Sequence, residues 1–66
     1  MQNLNTLFSD LQAAETVWLA ELATAFPGQD VRYSSLSTGA PGSAINAAYV
    51  RFVEASQTVR LAVAAA

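Results

Sequence analysis

Leu4 to Phe26 reads LNTLFSDLQAAETVWLAELATAF, and its spacing decides the fold class. Measured from Leu11 in steps of the helical period, Leu4, Leu7, Phe8, Ala14, Trp18, Leu22, Ala25 and Phe26 fall on one side. The spacing predicts an amphipathic helix of about six turns. Its other side carries Thr6, Ser9, Ala13, Thr16, Ala20 and Thr24, none of them charged or long. A solvated helix back is normally rich in Lys, Glu and Arg, whereas a small, neutral one lets a second backbone come close. Asn3 or Asn5 can cap the start, and Pro27-Gly28 stops the helix near Ala25.

The same period returns after Ser43, a good cap residue. Ile45, Ala48, Tyr49, Phe52, Ala55, Ser56, Val59 and Val63 form its inward stripe. Behind it runs a second line, Val50, Glu54, Gln57 and Leu61, which points Val50 and Leu61 away from the first helix. The expected fold is all-α, a single small domain over 1–66: a helix over about 4–26, a connection over 27–42 and a helix over about 43–64. The two helices close as an antiparallel hairpin, with the predicted core at Leu11, Trp18, Leu22, Phe26, Tyr49, Phe52 and Val59. Ala13, Thr16, Ala20, Val50 and Leu61 are the predicted contacts between chains.

The connection is long for a helical hairpin. Within it, Asp30 to Leu36 reads either as a short extended segment or as an irregular loop pinned by Val31, Tyr33 and Leu36. The loop is the preferred reading, because a lone strand needs a partner for its backbone. Gly39-Ala40-Pro41-Gly42-Ser43 enters the second helix as glycine-rich phosphate loops do, but the chain contains no lysine. The segment is therefore expected to act as a turn.

A chain of 66 residues buries roughly 60% of its unfolded surface, so it needs disulfides, a metal or partners to be stable. Cysteine and histidine are both absent, which removes disulfides and the usual zinc ligands. Partners remain. Apolar residues make up 53% of the chain and charged ones 12%, about half the usual charged share. Arg32, Arg51 and Arg60 are the only cations and the net charge is −2, which argues against nucleic acid as the main partner and against an anionic membrane surface. Charged residues interrupt both helical stretches, so no membrane-spanning segment is expected. Met1-Gln2-Asn3 lacks a basic run, so no secretion signal is expected, and the expected location is the cytoplasm or an assembled particle.

No catalytic set and no cofactor or metal site is expected. Without His, Cys or Lys the usual bases and nucleophiles are missing. Asp10 and Glu21 share a side of the first helix but stand roughly 16 Å apart along it, too far to share a metal or a proton. Trp18 and Tyr49 lie at core spacing, which favours packing over a stacking platform. Glu15 interrupts the inward stripe between Leu11 and Trp18. Its carboxylate is expected to reach out to the edge of the stripe or to pair with an arginine from the second helix or a neighbouring chain; the alternative is a desolvated carboxylate serving as a register or pH-sensitive contact.

The layout of helix, candidate extended segment and helix is similar to that of small phage head-to-tail joining proteins, which carry a complete hairpin where this chain has one candidate strand. Trp18-Leu19-Ala20 lies mid-helix, unlike the Trp-x-Gly turn of secreted mycobacterial helical pairs. The tail Leu61 to Ala66 resembles the alanine-ending tails recognised by bacterial energy-dependent proteases; fraying at the helix end is the preferred reading. No family is assigned. The expected function is a non-enzymatic assembly subunit, in a homo-oligomer or a larger particle such as a phage or phage-like virion. The alternative is an adaptor or regulatory module docking on one larger protein.

Overall fold

The computed structural model describes residues 3–65. Within them the chain forms two α-helices, α1 (Leu4–Ala25) and α2 (Ala44–Ala65), with a four-residue 3₁₀ helix at Ser35–Thr38 between them. The helices pack on each other as a hairpin measuring 39 × 20 × 18 Å. The readings of Met1-Gln2 and of Ala66 lie outside the described residues.

Local chemistry accounts for each boundary. The Asn3 side chain accepts from the Thr6 backbone N–H at 2.8 Å and so caps α1. At the other end the Phe26 N–H still reaches the Leu22 carbonyl at 2.8 Å, but Pro27 has no N–H to continue the ladder. Ser43 Oγ accepts from the Asn46 N–H at 3.1 Å and opens α2. Neither helix carries an acidic residue in its first turn or a basic one in its last. The helix dipoles are thus uncompensated by charge, and the helices depend on caps and packing.

The stretch expected to be either extended or looped contains no strand. It folds on itself instead. The Asp30 carboxylate accepts from the Arg32 N–H, and the Ser34 N–H and hydroxyl both donate to the Val31 carbonyl. Ser34 Oγ then accepts from the Leu36 N–H and starts the 3₁₀ helix. Local side-chain bonds of this kind outcompete an unpaired strand. Of the three residues expected to pin the loop, only Val31 is buried. Tyr33 is 89% exposed and Leu36 is half-exposed, because the turns after Val31 carry both outward.

The connection is fastened at two further points. Gly39 has φ +70, and a Cβ there would meet Ser43 Oγ, the Asn46 nitrogen and Ile45 Cβ at 2.7 to 2.9 Å, so only glycine fits. The Asn46 side chain donates to the Thr38 carbonyl at 3.1 Å, tying the 3₁₀ helix to the first turn of α2.

The core sits at this end of the hairpin. Trp18, Leu22, Val31 and Ala48 are buried together, with Leu19, Phe26, Ile45, Tyr49 and Phe52 packed around them. Leu7 and Val59 are buried separately, nearer the open end, and Leu11 is half-buried between the two groups along α1.

Candidate functional site

Trp18 is the best-sealed aromatic residue. Its ring stacks on Phe52 at 5.1 Å with 15° between planes, and Tyr49 lies tilted at 5.5 Å. The indole Nε1–H donates to the Ser37 carbonyl at 2.8 Å. With only 4% of its surface exposed, Trp18 offers no face to a base or cofactor, and the cluster acts as packing. The Ser37 carbonyl was not foreseen from the sequence, although a buried indole N–H almost always finds an acceptor.

Glu15 pairs with Arg32 at 3.5 Å, both side chains 37% exposed. The arginine comes from the connection, not from α2 or a neighbour, because the turn at Asp30 brings Arg32 back over α1. Arg32 also lies 5.6 Å from the Tyr33 ring centroid. Among the described residues no three acidic side chains gather as a metal site would need. No helix there is long and apolar enough to cross a membrane.

What the hairpin does present is uncovered surface. Ala13, Thr16 and Ala20 lie exposed along the outer side of α1, and Val50 and Leu61 lie exposed on α2, Leu61 by 73%. Leu4 and Phe8 of the inward stripe are also left partly open, as is Val63 of α2. The hydroxyls of Thr16 and Thr24 donate to the carbonyls of Gln12 and Ala20 in their own helix. These two hydroxyls are therefore satisfied internally, so covering them costs little.

One feature escaped the sequence reading. Ala13, Ala14 and Val17 of α1 and Ala48 and Arg51 of α2 line a groove of about 200 Å³ between the helices. Val17 is half-exposed at its edge. The available signal was Val17 itself, a large apolar residue that belongs to neither the inward stripe nor the small outer side.

Comparison with known proteins gives no match: no family model fits the chain, and no curated protein or solved structure aligns significantly with it.

Proposed function

We propose that the chain is a non-enzymatic structural subunit, a helical hairpin that packs against copies of itself in an oligomer or larger particle. The supporting observation is the balance of its surface. Among the described residues eight large apolar side chains are exposed while six apolar side chains are buried, and no large side chain is completely sealed. A compact monomer of this size exposes about 4,000 Å², against 4718 Å² here. Its radius of gyration is 13.1 Å, where roughly 10.8 Å is usual for this length. An isolated hairpin thus leaves apolar area in water that a second hairpin would cover. The outer side of α1 suits such packing, since helices approach most closely where side chains are small.

In this reading Ala13, Thr16 and Ala20 on α1 and Val50 and Leu61 on α2 make the contacts between chains. The test is solution mass by light scattering over a dilution series, with helicity recorded on the same samples. The expected result is an assembly that loses helicity as it dissociates, and that Ala13→Arg or Ala20→Arg breaks apart. Unchanged mass in both variants would overturn the assignment of that side. A chain that stays monomeric at every concentration would overturn self-assembly and favour docking on one larger protein.

A further inference from the structure

Resting on the self-assembly reading, we infer that a second copy of the chain seats on the groove side of the hairpin. In this pair α1 of each copy lies over α2 of the other, and Arg51 of each fits between Asp10 and Glu21 of the other.

The argument begins with spacing. Asp10, Ala14, Val17 and Glu21 stand at i, i+4, i+7 and i+11, one line along α1. Ala14 and Val17 border the groove, so Asp10 and Glu21 flank it about one helical turn to either side. Arg51 borders the groove from α2 at the level of Ala14 and Val17 and is exposed. Among the described residues it has no ion-pair partner, while Arg32 is taken by Glu15. One face therefore holds an unpaired cation on α2 and, on α1, two carboxylates that straddle its level.

A two-fold axis parallel to the helices resolves this arrangement. It places α1 of one copy over α2 of the other at unchanged height, so Arg51 arrives level with the partner copy's Ala14 and Val17. A carboxylate then lies about 8 Å along the axis in either direction, a span that an arginine and a carboxylate side chain reaching toward each other can bridge. Val17 arrives over the small Ala48 at the floor of the groove. Both contacts occur twice, as a closed symmetric pair requires.

The size is adequate. A face of 39 by 20 Å has an outline of roughly 780 Å², so a pair that covers the whole face approaches the ~800 Å² per partner of a standard stable interface. The pair leaves Val50 and Leu61, on the far side of α2, open for further contacts.

The experiment uses two variants of the full chain, Arg51→Glu and the double variant Asp10→Lys/Glu21→Lys, with mass measured by sedimentation equilibrium. Each alone sets like charges against one another and should weaken pairing more than about tenfold. Mixed one to one they restore both opposite-charge contacts, since each chain supplies what the other lost. Recovery of dimer mass, and of helicity should either variant unfold alone, supports the inference. Failure of the mixture to recover overturns it. So does an assembly indifferent to all three samples yet broken by Ala20→Arg, and in that case self-assembly survives while this face is wrong. A wild-type chain that is monomeric throughout overturns both.

Discussion

The two ends of the hairpin are built differently from the same kind of residue. At the connection end, Trp18, Leu22, Val31 and Ala48 are buried together and the aromatic rings of Tyr49 and Phe52 close on Trp18. At the open end Leu4, Phe8, Leu61 and Val63 remain in water, and among the described residues there only Leu7 and Val59 are buried. The difference lies in what covers the helices. Two helices enclose only the strip between them, and the connection adds a third wall, Val31 and the Ser37 carbonyl, at one end alone. The connection is thus part of the core, and the open end is left facing water.

Truncating the connection-end core should have the largest effect. Trp18→Ala removes two aromatic contacts and leaves the Ser37 carbonyl without its donor, a loss of about 3 to 5 kcal/mol. A chain this small has little stability to spare, so the variant should be largely unfolded by circular dichroism. Phe8→Ala, half-exposed at the open end, should cost far less. Equal losses in the two variants would erase the distinction between the ends.

A smaller effect separates the glycines of the connection. Gly28 and Gly39 both have positive φ, so alanine at either position is strained, and Gly39, at φ 70 and ψ 162, lies in a region that essentially only glycine adopts. Only at Gly39 does a Cβ also collide, with the backbone and side chains that begin α2, whereas Gly28 faces open space. Gly39→Ala should therefore lower the urea midpoint clearly further than Gly28→Ala. Equal shifts would show that the connection is not held against α2 as tightly as the fold requires.

Much of this architecture was legible before any coordinates. Helical spacing placed Leu22, Ala48, Val59 and Trp18 inward, because position on a helix follows from residue count alone. Pro27 and Ser43 marked the helix ends through backbone chemistry that acts within a few residues. The connection was harder to read. That Tyr33 points into water while Val31 is buried depends on a chain of serine and aspartate turns, each bond local but the sum set by where the Trp18 N–H finds an acceptor. The groove beside Val17 was hidden for a related reason, since it exists only once two helices lie at a definite rotation to one another.

The pair of Glu15 and Arg32 gives the smallest expected effect and tests how the connection wall is attached. Both side chains are 37% exposed, and the contact of 3.5 Å is an ordinary surface ion pair. Such pairs contribute about 0 to 1 kcal/mol and are screened by salt. Glu15→Gln should therefore lower the stability of the chain by less than about 1 kcal/mol, with the difference fading as salt is raised. The connection would hold its place, because Val31, the Ser37 carbonyl and Gly39 fasten it independently. A much larger, salt-insensitive loss would mean that the ion pair, and not the apolar and hydrogen-bonded contacts around Trp18, keeps the third wall in position. The contrast between the two ends would then be electrostatic in origin, and Arg32→Leu should reproduce the same loss.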